Sequence, residues 1–448
     1  MPFSAGFMVP HPPLAVHEVG RGDEMKIQAT LDAFDTVAER IAELKPDTIV
    51  LTSPHSVMYT DYFHVSPGAG AKGSFSGFGA AEVSFDVKYD GEFSLVLSKW
   101  ADKLGFPAGT FGERDKKLDH GTMVPLYFIN KRYTDYKLVR IGLSGLSLSM
   151  HYNFGRFLRS VADRLGRRAV FIASGDLAHC QKEDGPYGYK KEGPEYDKRL
   201  MEVMERGAFK ELLDFDEDFL HKAEECGHRS FAIMAGAFDN VSIKPEILSH
   251  EATFGVGYGI GIFTPKAADL GKAEIEAAKK SNDPLVNLAR ETINEYISKG
   301  TKPRAQADSD ELKRRAGAFV SIHEFGMLRG CIGTISAVYE NLAREIIENA
   351  VSASTKDPRF SPVTEDELSE LEINVDVLSE AEPIASEAEL DVKRYGVIVE
   401  NGYRRGLLLP DLEGVDTVAE QVSIARRKAG ISPGEPVKLF RFEVVRHV

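Results

Sequence analysis

The sequence is short of cysteine, of unbroken apolar stretches and of net positive charge, and each shortage removes a class of function. Its 448 residues include three cysteines, Cys180, Cys226 and Cys331, which are odd in number and far apart. That excludes a disulfide framework and a cysteine-only zinc site, and it suits a reducing cytoplasm, so a cytoplasmic location is expected. No run of about 18 apolar residues occurs, so no membrane span is expected. The N-terminus lacks a basic stretch followed by an apolar core, so no secretory signal is expected either. The formal net charge is −14. An acidic chain lacks the cationic surface that general nucleic-acid binding needs, and no nucleic-acid partner is expected. Gly68, Gly70, Gly73, Gly77 and Gly79 crowd together, yet no helical pattern follows them. That sets aside a dinucleotide-binding loop and leaves a mobile loop over 65–81, able to cover a site.

What is present is enough chain for two domains. Short apolar runs at 3–8, 47–52, 137–143 and 169–173 read as buried strands. Between the first two, Ile27, Leu31, Phe34, Val37, Ile41 and Leu44 carry helical spacing. Strand, helix, strand is a parallel crossover, so an α/β domain with a mostly parallel central sheet flanked by helices is expected over 1–265. Gly255–Phe263 reads as its last strand. Residues 266–283, rich in Ala, Lys, Glu and Asp and without aromatics, read as a linker. A smaller α+β domain over 284–448 follows, opened by a helix bearing Leu285, Leu288, Ala289, Ile293 and Ile297. No repeat relates the two halves.

The chemistry gathers on histidines. His11, His55, His120 and His179 all fall in expected loops, most of them just after a strand. The carboxyl edge of a buried sheet is where such folds place their sites. One loop histidine is more often a hydrogen-bonded surface residue than a ligand; four in this setting favour a divalent metal held by two imidazoles and a carboxylate. That is the non-haem Fe(II) arrangement, which leaves positions for substrate and O2, and a spare imidazole suits proton transfer. The third ligand is expected from 224–228. Glu225 completes the carboxylate triad, a Cys226 thiolate would favour zinc or copper, and His228 could also reach inward.

At these residues the sequence resembles the class III extradiol dioxygenase (LigB-type) superfamily, which includes the Memo-like proteins. The likeness is carried by PHPP at Pro10–Pro13, SPHS at Ser53–Ser56, DHG at Asp119–Gly121 and SGDLAH at Ser174–His179. The resemblance implies His11 and His55 as metal ligands, His179 as acid/base beside substrate and O2, and His120 as a second pocket histidine. LigB-type enzymes use a carboxylate as third ligand; Memo-like proteins have a cysteine in a Cys-Gly setting. Glu225-Cys226-Gly227 offers both. The implied function is extradiol-type dioxygenation of a small catechol-like aromatic substrate with Fe(II). The rival is a Memo-like metal-binding or interaction module without ring cleavage, and metal-dependent hydrolysis is a third reading.

In the second half, Leu328-Arg329-Gly330-Cys331-Ile332-Gly333 is similar to the signature of the AMMECR family, and Asp357–Phe360 and Glu372–Val375 fit it as well. Arg329 beside a thiol could hold an anion, although a structural turn with a buried cysteine is the simpler reading. The fusion resembles the AmmeMemoRadiSam arrangement, which implies a radical-SAM protein as partner. Whether the chain forms a homo-oligomer stays open.

Overall fold

The computed structural model describes residues 2–112, 117–266, 281–305, 307, 309–412 and 414–448. The chain divides into two compact units, Met1–Ala278 and Lys279–Val448. No helix among the described residues is long and apolar enough to cross a membrane. Of the expected linker, Lys266 and Ser281–Asp283 are described; 267–280 lie outside the described residues.

In the first unit the strands are, in chain order, β1 (Phe3–Val9), β2 (Thr48–Ser53), β3 (Phe63–His64), β4 (Gly70–Phe75), β5 (Ala80–Lys88), β6 (Ala108–Gly109), β7 (Lys137–Gly142), β8 (Ala169–Ser174), β9 (Ile243–Glu251) and β10 (Tyr258–Pro265). The central sheet runs β7-β2-β8-β1-β10-β9. Its first four strands are mutually parallel, and β10 and β9 continue it antiparallel. β2 and β8 are buried along their whole length, as near-continuous apolar runs in a parallel sheet require. The helix Gln28–Leu44 covers one face through Phe34, Val37 and Ile41. Burying each such side chain contributes roughly 1.5–3 kcal/mol.

Two departures from the sequence reading have physical causes. Residues 65–81 are not a mobile loop: β4 and β5 pair as an antiparallel hairpin. Its glycines serve close packing, since a Cβ at Gly70 would strike the Val87 carbonyl and one at Gly73 would strike Leu118 and Met123. β9 precedes β10 and pairs with it along its length. Its burial is mostly intermediate, so it lacks the apolar run that marks the central strands.

The second unit holds β11 (Ala318–Glu324), β12 (Met327–Gly333), β13 (Leu371–Leu378), β14 (Glu382–Ile384), β15 (Tyr395–Asn401), β16 (Arg404–Leu408) and β17 (Lys438–His447). They form a sheet ordered β12-β11-β13-β17-β15-β16, with β14 on β17, and all of these pairings are antiparallel. Helices Pro284–Lys299 and Leu342–Thr355 share a core with β11 and β13. β11 alternates strictly between buried and half-buried residues, the pattern of a sheet with one covered face. The architecture is a mostly parallel α/β unit followed by a smaller α+β unit.

Candidate metal centre

The parallel register sets β1, β2 and β8 level at their carboxyl ends, with Val9 opposite Ser174 and Thr52 opposite Ala173. The chain that leaves each strand therefore starts from one edge. β1 delivers His11, β2 delivers His55, and β8 delivers Asp176 and His179. The segment before helix His228–Ala237 brings Cys226 to the same place. Gly175 and Gly227 make that approach possible, since a Cβ on Gly175 would occupy the position of the Gly227 backbone.

His11 Nε2 lies 3.0 Å from His55 Nε2 and 3.7 Å from Cys226 Sγ. Donor atoms of His11, His55 and Cys226 fall within 4.8 Å of one another, as do those of Asp176, His179 and Cys226. Around a tetrahedral ion, two nitrogens at about 2.1 Å sit about 3.4 Å apart, and a nitrogen and a thiolate sulfur about 3.6 Å apart. The His11–Cys226 spacing matches that geometry, while the His11–His55 spacing is shorter and matches two nitrogens set at about a right angle around an ion. Asp176 Oδ2 is 3.8 Å from His11 Nε2, so a carboxylate is also in reach. His179 Nε2 is a buried nitrogen without a hydrogen-bond partner among the described residues.

The tautomer of His11 follows from its neighbours. Ser174 Oγ donates its single hydrogen to the Gly121 carbonyl at 2.6 Å. It can therefore only accept from His11 Nδ1, 3.0 Å away. The proton of neutral His11 is on Nδ1, and the Nε2 lone pair faces His55 and Cys226, as a metal ligand requires. Burial, reinforced by His55, lowers the His11 pKa to about 3, so the ring is neutral at physiological pH. Burial likewise raises the Cys226 thiol well above its ordinary value, with Asp176 and Glu225 adding to the effect. A cation beside the sulfur would reverse that and favour the thiolate. The Asp176 backbone N–H already points to Sγ at 3.3 Å.

His120 is the first residue of helix His120–Asn130, not a loop residue, and Asp119 caps that helix by accepting from Thr122 N. Its ring stacks on His55 at 4.1 Å between centroids. Burial and then His55 and His11 lower its pKa to about 4. His179 is also lowered, mainly by burial, and its ring lies 5.0 Å from that of Tyr187. Glu225 is not drawn into either donor group: its Oε2 accepts from His228 N at 2.6 Å. Burial raises its pKa to about 7. His228 does not reach inward either, since its ring nitrogens meet Tyr196 Oη and the Leu212 carbonyl.

Sequence reasoning named Ser174, Asp176 and Asp119 only as parts of motifs, gave them no role of their own, and passed over Arg140. Arg140 Nη2 donates to Asp119 Oδ2 at 2.9 Å, and Ser53 Oγ donates to Asp119 Oδ1 at 2.6 Å while accepting from His55 N. One carboxylate thus ties the backbone of His55 to the helix that begins at His120. Burial alone would raise the Asp119 carboxyl, but Arg140, Ser53 and Thr122 outweigh it and hold the pKa low. A lone arginine among the apolar residues of β7 was the available signal.

Family comparisons agree with this architecture. Residues 5–261 match the model of the catalytic LigB subunit of aromatic ring-opening dioxygenase, and residues 286–447 match AMMECR1. A Clostridium acetobutylicum protein is 42% identical over 467 aligned positions, covering 100% of this chain and 99% of that one. A Thermotoga maritima protein is 51% identical over 168 residues, 37% of this chain and 97% of its own. Among solved structures, a Pyrococcus horikoshii protein is similar at 33% identity over 36% of this chain and 88% of its own, with a TM-score of 0.34. An Escherichia coli K12 protein is similar at 14% identity over 58% of this chain and 99% of its own, with a TM-score of 0.38.

Proposed function

This chain belongs to the family of the catalytic LigB subunit of aromatic ring-opening dioxygenase, joined to an AMMECR1 domain, and on that premise we propose that its first domain is a metal-binding module whose ion is held by His11, His55 and Cys226. The observation that carries the reading is the donor set: the sulfur of Cys226, with Glu225 turned away onto His228 N, accompanies the two imidazoles. A thiolate in place of a carboxylate shifts preference from Fe(II) toward zinc or copper. It also takes the place that Glu225 would have filled in the facial triad associated with non-haem Fe(II) oxygenases, and leaves Asp176 as the carboxylate within reach. When bound, such an ion supplies Lewis acidity and charge stabilisation to a ligand in an open position. The residues supply the rest. Ser174 holds His11 in the ligating tautomer, Asp119 orients His55 and His120, and His179 has a nitrogen free to take or give a proton.

A second reading, Fe(II)-dependent ring opening of a catechol with O2, is favoured by one observation. Two imidazoles kept neutral by burial, His120 and His179, flank the donor set, as acid/base chemistry there would need. Anaerobic purification followed by metal analysis and O2 uptake with catechol separates the two. The proposal expects about one zinc or copper per chain and no catechol-dependent uptake. Iron with catechol-dependent uptake would overturn it in favour of the second reading.

A further inference from the structure

Asp176 and His179 stand on one loop, and each of the three peptide groups between them is tied down. Leu177 N donates to the Gly257 carbonyl at 2.8 Å, Ala178 N to Asp197 Oδ1 at 2.9 Å, and the Ala178 carbonyl accepts from Gly257 N at 2.8 Å. Two of these ties are backbone to backbone. The middle one alone depends on a side chain, which comes from helix Glu192–Arg206. Asp197 is buried there, its side chain 3% exposed, and its second oxygen meets His250 Nε2 at 2.8 Å. A carboxylate can only accept, so His250 donates that bond, from β9 and with its ring partly exposed. The desolvation of a buried carboxylate is offset by charge-assisted bonds, and both oxygens of Asp197 have one. Gly257 is fitted to the same arrangement: a Cβ there would lie 2.1 Å from Asp197 Oδ2 and 2.9 Å from Leu177 Cβ. The bonds of Asp197 and His250 thus run to the His179 loop and not to His11, His55 or Cys226.

We propose that Asp197 and His250 are positioning residues for His179: the carboxylate sets the peptide between Leu177 and Ala178, and so the reach of the His179 imidazole toward a ligand on the ion, while His250 sets the carboxylate. The inference deepens the metal-site reading and rests on it for what His179 acts upon; the placement of His179 itself depends only on the protein.

The test has two arms, both on the full chain. The first is metal-free: NMR of protein carrying isotope-labelled histidine, with the signals of His11, His55 and His179 assigned by their alanine variants. Asp197→Ala should move the His179 signal and leave those of His11 and His55 in place. Asp197→Asn, which keeps an oxygen for Ala178 N, should restore it. The second arm loads the chain with Co(II) and titrates azide, a probe of the open position, by visible absorption. His179→Ala and Asp197→Ala should each weaken azide binding about tenfold at unchanged cobalt content, as losing a hydrogen bond to a charged group does, and His250→Ala about threefold. A double variant separates positioning from general stability: on a His179→Ala background, Asp197→Ala should change azide affinity by less than about twofold. An unmoved His179 signal in Asp197→Ala, equal movement of all three signals, or additive losses in the double variant overturns the inference. Should Asp197→Ala fail to fold, His250→Ala decides by the same signals and the same double variant. Protein that takes up no cobalt or no azide, while Asp197→Ala moves the His179 signal, contradicts the metal-site reading only. Cobalt-loaded protein whose His179 signal is indifferent to Asp197 contradicts this inference only.

Discussion

Cys226 and Cys331 sit in comparable sequence settings, each half-buried, next to a glycine and within three residues of an arginine, yet their surroundings are opposites. Around Cys226 the Nε2 atoms of His11 and His55 and the thiol converge on one another, with the Asp176 N–H donating to the sulfur. Around Cys331 everything is spent. Arg329 is buried, donates to Glu367 Oε2 at 2.8 Å and to the Ser361 and Pro362 carbonyls, and so holds a loop rather than an anion. Cys331 N donates to Asp357, which Arg359 clasps in turn, and Ser321 Oγ donates to Cys331 Sγ. A motif that looks reactive in sequence is a site only when its polar groups are left over after folding.

The comparison breaks first at the ligands. His55→Ala should weaken metal binding on the order of a thousandfold, a share of the ~10–16 kcal/mol typical of a zinc site, whereas Cys331→Ser should leave metal content at the wild-type level. Metal analysis after dialysis against a weak chelator reads both. Loss of metal in Cys331→Ser would join the two cysteines in one function.

Stability should answer in the other order. Arg329→Met removes the guanidinium paired with the buried Glu367 carboxylate and should cost about 3–5 kcal/mol, seen as an earlier unfolding transition in urea. Cys226→Ser should change the unfolding of metal-free protein by less than about 1 kcal/mol. An intermediate prediction sharpens the tautomer argument. Ser174→Ala releases His11 Nδ1 and should lower metal affinity about 10–100-fold with the fold unchanged by circular dichroism. Unaltered affinity would remove Ser174 from the centre.

How much of this could be read from the sequence depended on what kind of signal each part leaves. The central strands show as apolar runs, and His11 and His55 are recognisable because each follows such a run. β5 and β9 were missed because they are short of buried apolar residues, and their pairing is set by partners distant in sequence. The choice between Glu225 and Cys226 was not legible because adjacent residues leave a turn in different directions, and only the cap on His228 N fixes which one turns inward. Asp119–Arg140 joins positions 21 residues apart, and the lone arginine in an apolar strand shows that a buried partner is needed without showing which one.

The smallest expected effect concerns pH in the second unit. The hydrogen bond from Arg359, opposed by burial, lowers the Asp357 carboxyl from 3.8 to about 2. A carboxyl depressed on folding stabilises the native state above its unfolded pKa, and that contribution fades as pH falls through about 2. Arg359 is half exposed, so screening reduces the effect, and Asp357→Asn should cost about 1 kcal/mol at pH 7 and little at pH 2. Urea unfolding at both values checks it, and an equal cost at both would mean that charge is not the cause.

The most direct measurement of the central claim is X-ray absorption at the metal edge of the loaded protein. The account predicts one sulfur at about 2.3 Å and two imidazole nitrogens at about 2.0–2.1 Å, with the sulfur contribution gone in Cys226→Ser. A wild-type spectrum with only nitrogen and oxygen neighbours would contradict it and return the third position to a carboxylate.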